Sequence, residues 1–139
     1  VAATVANKGE QMTPYLVSRT LDPDLNEVSS TSTKVARTPI DSATASSLSS
    51  LMQTAVAEGT GTSAQVSGVQ VAGKTGTAET GTDSGPTTWF VGFAGTDIDK
   101  PEIALAVVLD GNAETEDGAT GGKIAGPVAA QVIDAAVNQ

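Results

Sequence analysis

The residues best able to do chemistry stand together as Lys74-Thr75-Gly76-Thr77. An ammonium, two hydroxyls and a position without a side chain suit an anionic ligand. The cation supplies charge, the hydroxyls donate hydrogen bonds, and glycine lets an extended ligand lie close to the backbone. The 139 residues include no histidine and no cysteine. Ser-His and Cys-His catalysis, thiolate metal sites and disulfides are therefore excluded, and any base must be Lys, Asp, Glu or Tyr. Seven basic against sixteen acidic residues give a net charge of -9. Such a surface repels phosphate backbones, so no nucleic-acid partner is expected. No apolar run approaches the roughly 20 residues that span a bilayer.

Lys74 belongs to two overlapping patterns. Gly68 to Thr75 fits the phosphate-loop spacing G-x-x-x-x-G-K-[ST], and the aliphatic run Ile103 to Asp110 imitates a magnesium-holding strand. A phosphate loop must curl its backbone N–H groups toward the phosphates, and a helix must start at the lysine. Val69-Gln70-Val71-Ala72 prefers to be extended, and Thr75-Gly76-Thr77-Ala78-Glu79-Thr80-Gly81 cannot run a stable helix. The ATPase alternative is disfavoured. The other pattern is a strand over Val69 to Ala72 that ends in Lys-Thr-Gly-Thr.

The elements that must position this lysine follow from periodicity. Val1 to Gly9 reads as the last turns of a helix, with Asn7 and Gly9 suited to a left-handed end. A chain that opens inside a helix is expected to be the C-terminal portion of something longer. Tyr15 to Leu21 predicts a short strand, Asp22-Pro23-Asp24 a turn, and Glu27 to Thr38 an exposed second strand with loop. Asp41 to Glu58 predicts a helix with an apolar stripe of Leu48, Leu51, Met52, Ala55 and Val56. Thr87 to Ala94 predicts a strand, and wholly aliphatic Ile103 to Leu109 predicts one buried on both faces. A final helix is expected from about Gly122 to Val137, with Ile124, Val128, Val132, Ile133 and Ala136 on its buried side. The acidic segment Asp110 to Asp117 is read as a solvated loop; Thr115 stands where a calcium loop of the EF-hand type needs glycine. Trp89 is expected to pack within its strand rather than line a groove, and Glu79 to be turn polarity.

In succession these segments resemble the penicillin-binding proteins, in particular the C-terminal part of a class B transpeptidase. Gly73-Lys74-Thr75-Gly76-Thr77-Ala78-Glu79 is similar to the family's K-T-G motif with its flanks. Ala57-Glu58-Gly59-Thr60-Gly61-Thr62-Ser63-Ala64 resembles the passage before that strand, and Trp89-Phe90-Val91-Gly92-Phe93-Ala94 the strand after it. Val1 to Val17 resembles the family's helix-to-strand passage. The likeness covers essentially the whole of residues 1–139. It implies an α/β (α+β) fragment of a penicillin-binding, serine β-lactamase-like transpeptidase domain, mainly antiparallel sheet flanked by helices.

The resemblance also implies roles. Lys74 and Thr77 would be catalytic, Thr77 through its backbone N–H in the oxyanion hole. Thr75, Gly76 and Thr77 would bind substrate, the threonine hydroxyls meeting its carboxylate. The substrate class is a stem peptide ending in D-alanyl-D-alanine, or a β-lactam that imitates it, with no metal or cofactor. The family's nucleophile comes from Ser-x-x-Lys, supported by Ser-x-Asn. Three residues before Lys8, Lys34, Lys74, Lys100 and Lys123 stand Val5, Thr31, Val71, Asp97 and Thr120, and no Ser-x-Asn occurs. The chain is therefore expected to be one wall of a site and inactive alone, completed by a companion polypeptide or a strand-exchanged oligomer. By the same resemblance the intact protein works at the outer face of the bacterial cytoplasmic membrane, attached through a preceding segment. A D,D-carboxypeptidase, β-lactamase or catalytically dead β-lactam sensor shares these motifs.

Overall fold

The computed structural model describes residues 1–79, 85–111 and 118–138. Its centre is a three-stranded antiparallel meander in the order β5-β6-β7, built from β5 Gln70–Ala78, β6 Thr87–Gly95 and β7 Ile103–Leu109. Gly73 is paired with Gly92, Lys74 with Val91, Gly76 with Trp89, and Phe90 with Val107. The strand period gives the sheet two faces.

The first face carries Val71, Phe90 and Ala94 toward helix α3, Ala125–Val137, whose Ala125, Ala129 and Ile133 are fully buried on it. The expected stripe is thereby corrected: Ile124, Val128 and Val132 are each 38–42 % exposed. Ile133 is buried as expected, but beside it the small Ala125 and Ala129 face the sheet, because they let helix and strands approach closely. Pro127 sits in the first helical turn, where its missing N–H costs nothing.

The second face meets α1, Ala2–Ala6, and α2, Ser42–Ala57. Val5, Ile40, Met52 and Ile98 close over Ala72 and Phe93. Asp41 caps α2, accepting from the Thr44 N–H at 2.7 Å. That N–H bond holds the Asp41 carboxyl below its ordinary range. Its contribution is thus in place above the unfolded carboxylate pKa and fades as pH falls through the lower folded value. Of the expected α2 stripe only Val56 is buried, and Leu51 stays 67 % exposed. Likewise β7 is not buried on both faces: Ala104, Ala106 and Val108 are exposed, because the described residues leave that end of the second face partly open.

Residues 10–38 form no single pair of strands. β1 Gln11–Met12 pairs with β4 Val35–Arg37, and β2 Arg19–Leu21 with β3 Glu27–Ser30. Tyr15, Leu16 and Val17 lie outside any strand, correcting the longer strand expected there. After α1 the left-handed positions are Lys8 and Gly9, not Asn7. At Gly9, with φ +95°, a Cβ would also strike the Ile40 carbonyl, so the turn requires glycine.

Thr88 is the outlier of the first face. It is 1 % exposed, and its hydroxyl has no hydrogen-bond partner among the described residues. An unpartnered buried hydroxyl costs about 1–3 kcal/mol. The isosteric Thr88→Val substitution is expected to stabilise the fold by about 1 kcal/mol, raising Tm by about 3–5 °C in thermal unfolding. A lower Tm would show that the hydroxyl is satisfied.

Candidate functional site

The K-T-G residues lie inside β5, which continues through them to Ala78. No helix starts at Lys74, so the phosphate-loop alternative over Gly68 to Thr75 lacks its required geometry. Among the described residues β5 has β6 on one side and no strand on the other, so its outer backbone edge is available for an added strand.

Alternation divides the site residues between the faces. Lys74 and Gly76 share the second face with Trp89 and Val91, while Thr75 and Thr77 point to the first. Lys74 is exposed and stands over an apolar trough of about 340 Å³ lined by Val1, Val5, Leu48, Leu51, Met52 and Val91. Among the described residues its Nζ donates only to the neighbouring Thr75 carbonyl. No carboxylate neutralises it there, so the charge is open to an incoming anion.

Trp89 is 39 % exposed on this open face, across from Gly76. The indole thus packs within its strand pair, as expected, while part of it stays open among the described residues. A Cβ on Gly76 would come 3.2 Å from Trp89 Cβ, so the glycine keeps the strand level beside the ring.

The threonines are held from behind. Thr75 is 8 % exposed, and its hydroxyl lies 2.6 Å from the Thr60 hydroxyl. The Gly121 N–H donates to Thr77 Oγ1 at 3.2 Å. Ser63 Oγ donates to the Gly122 carbonyl, joining the loop after α2 to the loop before α3. Methyl groups at Gly121 or Gly122 would run into the Gly76 and Trp89 carbonyls or the Thr60 carbonyl. Sequence reasoning missed Thr60, Ser63, Gly121 and Gly122. Their signal was hydroxyls and a glycine pair in loops, which without the fold reads as turn chemistry.

Glu79 is exposed at the strand's end. Most of the acidic loop read over Asp110 to Asp117 falls outside the described residues. Among the described residues no group of three or more acidic side chains gathers as a metal site. No helix there is long and apolar enough to cross a membrane.

Comparison with known proteins agrees with this geometry. Residues 1–134 match the penicillin binding protein transpeptidase domain. The chain is 38 % identical over 142 residues to the peptidoglycan D,D-transpeptidase PbpA of Mycolicibacterium smegmatis, covering 100 % of this chain and 28 % of that protein. It is 31 % identical to stage V sporulation protein D of Bacillus subtilis, covering 96 % of this chain and 21 % of that protein. The structure of penicillin-binding protein A from M. tuberculosis as a ceftriaxone acyl-enzyme superposes with a TM-score of 0.84 at 39 % identity, over 97 % of this chain and 30 % of that one. The chain thus spans less than a third of the length of these relatives. The family match over residues 1–134, together with this identity and a mixed α/β fold, shows that the chain belongs to the penicillin-binding protein transpeptidase family.

Proposed function

We propose that this chain forms the K-T-G wall of a peptidoglycan D,D-transpeptidase whose nucleophilic serine lies in another part of the intact protein. The observation that carries this reading is β5, a strand that among the described residues has a free edge and presents an unneutralised Lys74 and an exposed Thr77 at the first and last positions of the Lys-Thr-Gly-Thr motif. A donor stem peptide, or a β-lactam imitating its D-alanyl-D-alanine end, lies along that edge. Gly76 permits the close approach, Lys74 supplies positive charge, and the Thr75 and Thr77 hydroxyls meet the substrate carboxylate. The Thr77 N–H helps hold the oxyanion; one such donor is worth about 100- to 1,000-fold in rate.

The serine oxygen adds to the penultimate carbonyl, the C–N bond breaks, and D-alanine departs with a proton on its amine. An amine from a neighbouring stem peptide then attacks the serine ester, forming the cross-link and regenerating the hydroxyl. Neither step requires a cofactor. The reaction belongs in the cell envelope, outside the cytoplasm, as expected of an enzyme whose substrate is peptidoglycan.

The open part of the second face supports a covering segment. Leu48, Leu51, Trp89 and Val108 are 36–67 % exposed on one side of the molecule, and among the described residues β5 and β7 each lack an outer neighbour. Exposed edges of this kind pair readily. Denaturing intact mass of the protein with and without penicillin G tests the reading. A polypeptide bearing the serine should accompany or adjoin this chain and gain one penicilloyl adduct. Intact protein that stays unmodified would overturn the proposed chemistry.

A further inference from the structure

We propose that Thr60 is a positioning residue that orients the Thr75 proton toward the carboxylate of the bound acyl donor; this rests on the transpeptidase reading above. A carboxylate only accepts hydrogen bonds, so each hydroxyl that binds it must keep its own proton free to donate. At Thr77 the arrangement is fixed by chemistry: the Gly121 N–H can only donate, so Thr77 Oγ1 accepts there and its O–H remains available. At Thr75 the 2.6 Å contact with Thr60 could run either way between two hydroxyls. If Thr75 donates to Thr60, its proton is consumed. If Thr60 donates to Thr75, the Thr75 proton is released for a ligand. An anion at the β5 edge selects the second direction, giving a chain from Thr60 to Thr75 to carboxylate in which each bond polarises the next.

The backbone holds Thr60 for this task. Gly122 packs so closely on the Thr60 carbonyl that no side chain fits there. Ser63 Oγ anchors the Gly122 carbonyl, and Gly121 of the same loop serves Thr77. Two loops distant in sequence thus brace nearby hydroxyls of one strand from its rear, each supplying one hydrogen-bond partner. The side chain of Thr60 meets Thr75, and it acts through that hydroxyl. Its own side chain is exposed, so removing its hydroxyl leaves no buried group unpaired except Thr75 itself.

The test uses the intact protein and two probes, penicillin G and its uncharged methyl ester, with second-order acylation rates read by mass spectrometry. Thr60→Val is expected to slow acylation by penicillin G about fivefold to tenfold, the value of one hydrogen bond near a charge. The ester rate should change less than twofold, and Thr60→Ser should restore the free-acid rate. Thr75→Val should show the same selective loss, with no further loss on adding Thr60→Val. Equal slowing with both probes, or none with either, would overturn the inference while leaving the transpeptidase reading intact. Wild-type protein that neither probe acylates would overturn that reading, and the inference with it.

Discussion

Lys74→Met in the intact protein should lower the second-order rate of acylation by penicillin G about 100- to 1,000-fold and leave Tm within about 2 °C. The structure gives Lys74 no supporting role in the fold. Its side chain is exposed, and among the described residues it caps no helix and its ammonium donates only to the carbonyl of the next residue. Surface contacts of that kind contribute little to stability. Methionine keeps the length and apolar stem that lie along Val91 and the trough of α1 and α2. What disappears is the charge on the open face. In a site closed over by substrate and the covering segment, a charge-assisted bond is worth about twice a neutral one, and an oriented donor about 3–4 kcal/mol in the transition state. Lys74→Arg should recover only part of the rate, since a planar fork does not replace a compact ammonium. Rates within threefold of wild type for Lys74→Met would remove Lys74 from the site.

Those residues were legible in the sequence because their signal is local. Lys74 to Thr77 and the β-branched and aromatic run of β6 announce a strand pair within some twenty residues. Asp41 and the polarity of α2 likewise mark a helix whose cap can be read directly. Sequence rules failed where burial is decided at a distance. Ile124, Val128 and Val132 looked like the core of α3, yet the sheet selects Ala125, Ala129 and Ile133. Hydrophobicity ranks the side chains; the closeness of the opposing surface determines which of them fits. The Ile103 to Leu109 run is aliphatic on both faces, but Ala104, Ala106 and Val108 on one of them stay exposed among the described residues. There the composition describes a larger assembly than these residues build. The brace of Thr60 and Gly121 was illegible for a third reason: it joins positions 15 and 44 residues from their partners through single hydrogen bonds, which no periodicity encodes.

The K-T-G strand owes its level course to a fit between one aromatic ring and two glycines, and disturbing that fit should have the largest effect on stability. Phe90 is fully buried on the first face, and its ring lies over Gly73 and against Gly92. A Cβ at Gly73 would enter the ring edge, with Phe90 Cε2 2.8 Å away, and no flexible chain end is there to yield. Gly73→Ala therefore forces the ring or the strand to move. Overpacking of this kind costs about 1–3 kcal/mol. The opposite change, Phe90→Ala, empties the centre of the cluster formed with Val71, Ala94, Ala129 and Ile133 and should cost about 3–5 kcal/mol. Because both act on one contact, the effects cannot add. Gly73→Ala combined with Phe90→Leu should be more stable than the sum of its single changes predicts, by at least 1 kcal/mol, in denaturant unfolding of the intact protein. Strict additivity would mean that ring and glycine do not share the space. Since Gly73 immediately precedes Lys74, the ring also sets where the ammonium emerges. The single Gly73→Ala change should thus slow acylation even where the protein remains folded, and the added Phe90→Leu should return part of the rate together with the stability.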